Sequence, residues 1–190
     1  MKFIKSPYTN SHEVKQSKFI AHLIPFSEYE HTLLELKKTH QKARHFVVAY
    51  RYLNEFAQIV EHSSDDGEPK GTSGKPSLFV LQGAEIIDTA VIIVRYFGGT
   101  KLGTGGLVRA YSDAVNAVLS QTILIEYKNE IVKTISFEYT NTRIVEYECL
   151  ACGITIIEKV FSSTPVYKVK ACESTIQDFL VKMQRLVELV

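Results

Sequence analysis

The chain has 190 residues, 45% of them hydrophobic and 23% charged, with a formal net charge of +1. That length fits one large or two small domains, and the composition is that of an ordinary folded protein. The charge balance excludes a globally basic nucleic-acid binder but leaves room for a local cationic patch. Basic and acidic residues number 14 and 13 before Tyr127, and 8 and 8 after it. No apolar run approaches the ~20 residues of a membrane helix, so no membrane partner is expected. Met1 to Asn10 holds Lys2 and Lys5 without the apolar core of a signal peptide. Three cysteines, an odd number, argue against a disulfide framework and for a reducing, cytoplasmic setting.

Residues 18–25, KFIAHLIP, read as a strand closed by Pro25. Ser27 and Glu30 have the spacing of a capping box ahead of a helix carrying Tyr29, Leu33, Leu36 and His40. RHFVVAYRY, 44–52, is rich in β-branched and aromatic residues and predicts a strand. Alternation places Phe46, Val48, Tyr50 and Tyr52 on one face, with His45, Val47, Ala49 and Arg51 on the other. FAQIVEH continues as its partner strand after a turn at Asn54 and Glu55. Residues 63–77, SSDDGEPKGTSGKPS, form the most loop-like stretch, and Pro76 suits the first position of a short helix to about Gln82. TAVIIVRYF, 89–97, is apolar enough for a strand covered on both faces. A helix follows from Gly105, with Leu107, Tyr111, Ala114 and Val118 on one side.

EYKNE, 126–130, is a short polar joint. Beyond it the pattern predicts a strand over 132–139, a helix over 141–152, strands over 154–161 and 165–172, and a helix over 174–187. A last strand at the C-terminus would complete a ferredoxin-like domain. The expected organisation is therefore α+β in two domains, 1–127 and 131–190.

The stretch VRYFGGTKLGTGGLVRAY, 94–111, carries the chemistry. Arg95 leaves the strand on the face of Val91 and Ile93. Gly98 and Gly99 allow backbone angles that other residues resist. Gly103, Gly105 and Gly106 open a helix whose first amides lack internal partners. Such a terminus attracts anions, and Arg95, Lys101 and Arg109 add positive charge with no acid between Thr89 and Ser112. The plainer alternative is a tight strand-to-helix turn with solvated cations; the charge pattern favours a phosphate or carboxylate site. Lys70, Lys75, His45 and Arg51 are further candidate members. GGTKLGTGG lacks the lysine–hydroxyl ending of a nucleotide P-loop, and SGKPS has Pro76 where the hydroxyl would stand.

Asp65, Asp66 and Glu68 could hold magnesium against a phosphate. The reading preferred here gives Asp65 and Asp66 to Asx turns and Glu68 to a cation. Cys149 and Cys152 form a C-x-x-C, but at the far end of a helix in phase with Val145, which suits core packing better than redox or zinc chemistry. No nucleophile, cofactor motif or catalytic triad can be read.

HFVVAYR at 45–51, SDDGEPKGTSGKP at 64–76 and VIIVRYFGGTKLGTGGLVRAY at 91–111 together resemble the YigZ/IMPACT family. The resemblance implies a first domain like the second domain of a small-subunit ribosomal protein, whose crossover breaks the usual handedness. It implies a second, ferredoxin-like domain similar to the last domain of elongation factor G. Eukaryotic members regulate translation by competing for the activator of a stress-responsive initiation-factor kinase; they carry a different accessory domain, which has no match here, so that partner does not transfer. For bacterial members it implies a nucleic-acid- or ribosome-associated role, with no reaction or catalytic residue implied. Val47, Ser73 and Thr100 stand where the family often has cysteine, alanine and isoleucine.

The leading expectation is a non-enzymatic protein that binds RNA or the ribosome through the glycine-rich cationic loop. The alternative is an enzyme acting on a phosphorylated small molecule, with a metal on the acidic loop.

Overall fold

The computed structural model describes Met1–Val190, which divide into two compact units, Met1–Tyr127 and Lys128–Val190. In the first, strands β2 (Tyr8–Val14), β3 (Ser17–Pro25), β4 (His45–Leu53), β5 (Ile59–Ser64) and β6 (Thr89–Tyr96) form an antiparallel sheet of order β2-β3-β6-β4-β5. Short strands β1 (Lys2–Phe3) and β7 (Ile125–Glu126) pair with each other apart from it.

The apolar run of β6 makes it the central strand: every residue from Thr89 to Arg95 is buried. Val91 and Ile93 join Phe19, Leu23, Val47 and Ala49 beneath helices α2 (Gly74–Gly83) and α3 (Gly103–Leu119). Ala90, Ile92 and Val94 pack with Val48 against α1 (Tyr29–Thr39). The two face sets read from β4 are the two sets observed. β2 escapes periodicity analysis because it is an edge strand, with half-buried residues alternating with exposed polar ones.

Local chemistry differs from expectation at the helix starts. Ser27 lies in a 3-10 turn, Phe26–Glu28, and α1 begins without a side-chain cap. Pro76 is the third residue of α2, not its first; the first-turn amides have no helical partner, so its missing N–H costs nothing there. α3 starts two residues before Gly105, at Gly103, whose φ is +74°.

In the second unit, β8 (Glu130–Phe137), α4 (Thr142–Ala151), β9 (Thr155–Phe161), β10 (Pro165–Cys172), α5 (Glu173–Met183) and β11 (Val187–Leu189) form a sheet of order β11-β8-β10-β9. All its pairs are antiparallel, and this is the ferredoxin-like arrangement. Tyr167, Phe137, Val169 and Ile135 from the sheet pack with Val145 and Cys149 of α4 and Phe179 of α5. Cys149 is buried and Cys152 only half-buried, so the C-x-x-C is not a pair of equally hidden thiols. Burial, reinforced by neighbouring Cys152, pushes the Cys149 thiol up to about 11.

Candidate anion-binding site

β6 ends beside β4, with Arg95 opposite His45 in the register. The chain then crosses the hairpin turn between β2 and β3. A Cβ on Gly98 would lie 2.0 Å from the Gln16 carbonyl carbon, and the Gly98 amide donates to Ser17 Oγ at 3.1 Å. Gly98 is therefore set by backbone contact between two loops. Gly105 is different: a Cβ there would meet nothing within 4 Å, and α3 asks no special backbone angle of it.

The loop from Asp65 folds against the end of β6. Asp65 Oδ1 accepts the amides of Ser73 (3.1 Å) and Gly74 (2.9 Å) and the Ser73 hydroxyl (2.6 Å), while Oδ2 accepts the Gly71 amide (2.7 Å). Burial works to raise the Asp65 carboxyl, but bonds from the Ser73 hydroxyl and the Gly71, Gly74 and Ser73 amides outweigh it and hold its pKa below the usual value. Asp66, at φ +45°, accepts the Phe46 amide at 2.6 Å and offers its carbonyl to His45 Nδ1 at 2.8 Å.

These bonds bring Glu68, 8% exposed, onto Arg95, 6% exposed. Arg95 Nη1 donates to Glu68 Oε1, the Tyr111 hydroxyl donates to the same oxygen at 2.8 Å, and His45 Nε2 lies 4.0 Å from it. The guanidinium carbon sits 5.3 Å from the Phe19 ring centre and 5.8 Å from that of Phe97. Burial, and next the Glu68 charge, drive the Tyr111 phenol far above its usual range, so it remains a donor. Arg95 is thus a buried, ion-paired residue and not a free cation of the surface. The acid absent from 89–112 arrives from the loop 27 positions upstream.

Arg51 does not join it. Its register partner is Thr89, at the opposite end of β6. There Nε donates to Glu61 Oε1 at 2.7 Å and Nη1 to the Ile86 carbonyl at 2.9 Å, fixing the chain after α2. His45 serves the buried cluster. Asp65 and Asp66 accept backbone amides and Glu68 pairs with Arg95 through one of its two oxygens, and no group of three or more His, Cys, Asp or Glu is arranged for a metal ion.

What remains exposed is Lys101, Gly103, Gly105 and Arg109 along the turn and the start of α3, with Gly106 half-buried and Lys70 and Lys75 exposed on the loop and on α2. A cavity of about 350 Å³ opens here, lined among others by Glu68, Arg95, Phe97, Lys101, Gly103 and Thr104. Its walls combine a cation, a helix N-terminus and a carboxylate. Tyr111, read only as a core residue of α3, is the member that sequence reasoning missed; its burial among apolar neighbours gives no sign of its hydroxyl's partner.

The region that holds this loop and helix matches known proteins. The Impact N-terminal domain matches residues 15–119, which span β3 to the end of α3. An IMPACT family member of Haemophilus influenzae is 34% identical over 92% of this chain and 86% of its own. The chain belongs to the IMPACT family. The IMPACT family member YigZ of Escherichia coli is 33% identical, covering 94% of this chain and 89% of that one. A crystal structure described as that of a hypothetical protein aligns with a TM-score of 0.63 and 29% identity, over 100% of this chain and 95% of the other. These IMPACT relatives match through both units, so the second unit is shared with them as well as the first. No helix of this IMPACT protein is long and apolar enough to cross a membrane.

Proposed function

We propose that this protein acts in translation regulation as a non-enzymatic binder of RNA, on or off the ribosome, and grips phosphates with the turn that opens α3. The exposed cationic set carries the reading: Lys101 and Arg109 flank a helix N-terminus in a stretch without acids, where free amides and positive charge both favour an anion. Arg109 stands four residues after Gly105, on the same side of the helix. Membership of the IMPACT family supports the translational setting, through what its eukaryotic members do. Contacts of this kind hold phosphates and position the protein without reading bases.

The test is a titration of a mixed-sequence single-stranded RNA at several salt concentrations, for the wild type and for Lys101→Ala. Lys101 is exposed and outside α3, so the fold survives its loss. Binding should weaken equally across sequences, and the salt slope should fall by roughly one unit. A wild type that binds no polyanion, or a folded variant that binds as the wild type does, refutes the assignment. Arg95→Ala is unsuitable for this purpose, because it would strand Glu68 as a buried, unpaired carboxylate.

A further inference from the structure

The buried cluster under the cavity is not fully satisfied, and its loose ends describe a ligand. Arg95 lines the cavity and is more than nine-tenths buried, yet its Nε has no hydrogen-bond partner while Nη1 is committed to Glu68. On Glu68, the arginine, the tyrosine and the histidine all converge on Oε1. Oε2 is left out of that set, on a residue that also lines the cavity. Two hydrogen bonds, with His45 at 4.0 Å beside them, hold the carboxylate by one oxygen, and the other oxygen accepts no hydrogen bond on a residue that lines the cavity. A carboxylate is an acceptor only, so what it wants there is a donor. The opposite wall wants the reverse: Lys101 and the unbonded amides at Gly103 and Thr104 call for an anion.

We propose that this cavity binds the end of a phosphate monoester that carries hydroxyl groups, as sugar phosphates and ribonucleotide termini do. The phosphate lies against Lys101 and the first turn of α3, and a neighbouring hydroxyl donates to Glu68. A bare phosphate satisfies one wall only, and the Glu68 charge opposes it. The proposal rests on the reading of this turn as a phosphate-binding element. It adds a preference that a phosphate-gripping surface alone would not have: discrimination for a hydroxyl beside the phosphate.

Calorimetric titration of the intact protein with ribose 5-phosphate and with ethyl phosphate, which has no hydroxyl, reads that preference directly. Ribose 5-phosphate should bind about tenfold more tightly, the discrimination of one hydrogen bond to a charged acceptor. Lys101→Ala should weaken both ligands by the same factor. Glu68→Gln keeps the shape and should bring the two affinities together without weakening ethyl phosphate. The wild-type comparison stands even if that variant does not fold. Equal affinity of the wild type for the two esters overturns the proposal, as does absence of ribose 5-phosphate binding at about 10 mM or a folded Glu68→Gln that keeps the preference. RNA titrated in parallel separates the two readings: RNA binding without ester discrimination leaves the RNA assignment standing and removes this one, and ester discrimination without RNA binding does the opposite.

Discussion

A single carboxylate closes the loop on which the site depends. Asp65 gathers three amides and one hydroxyl between Gly71 and Gly74, and so fixes where the chain runs from β5 into α2. That loop is what carries Glu68 to Arg95. Because the folded-state pKa of Asp65 is depressed, its contribution to stability is complete above the unfolded value of about 4 and is lost as pH falls through the folded value. Asp65→Asn should cost about 2 kcal/mol near neutral pH, on the scale of hydrogen bonds to a charged acceptor. The cost should shrink as pH drops below about 4, where the wild-type carboxylate also gains a proton. Urea unfolding at pH 7 and at pH 3 measures both; an equal loss at the two pH values would show that charge is not what Asp65 supplies.

At the scale of elements, the glycines of the turn divide by physical cause. Gly98 is where the β6–α3 connection presses on the β2–β3 hairpin, and any side chain there collides with backbone that cannot swing away. Gly98→Ala should destabilise by about 3 kcal/mol, at the upper end for forced overpacking. Gly105 has open space and ordinary helical angles. Gly105→Ala should stabilise by about 0.5 kcal/mol, since alanine loses less backbone entropy in a helix. The pair of urea midpoints, one falling and one rising, tests the division; a loss at Gly105 would mean that the start of α3 is constrained in a way its surroundings do not reveal. The same contrast explains what could be read beforehand. A glycine-rich cationic turn between a strand and a helix was visible in 94–111, but nothing in those residues distinguishes a glycine that touches another loop from one that touches nothing.

For the molecule as a whole, the chain separates at a polar joint between β7 and β8. Each unit has a core of its own, Val91, Ile93 and Tyr111 in one and Ile135, Tyr167 and Phe179 in the other. Trypsin at low concentration should cut first after Lys128, giving fragments of roughly two-thirds and one-third of the chain, because exposed linkers between compact units are nicked before secondary structure is. First cuts within β6 or α3 would contradict two independently compact units.

Periodicity in the residues alone specifies a share of the elements. β6 was legible as an apolar run, β4 as an alternating strand, and the order after the joint as a ferredoxin-like series, because side-chain spacing follows directly from helix and strand geometry. Edge strand β2 and the uncapped start of α1 were not legible, since neither leaves a strong pattern. The charges were legible in kind but not in allegiance. Arg95, Lys101, Arg109 and Arg51 read alike as cations, yet the fold buries Arg95 against Glu68, gives Arg51 to Glu61 at the opposite end of the sheet, and leaves Lys101 and Arg109 exposed. That sorting belongs to the folded chain. An ion pair depends on distance in space: Glu61 meets Arg51 across the β4–β5 hairpin, 10 positions away, and Glu68 meets Arg95, 27 positions away, from a loop whose path is set by the hydrogen bonds of Asp65.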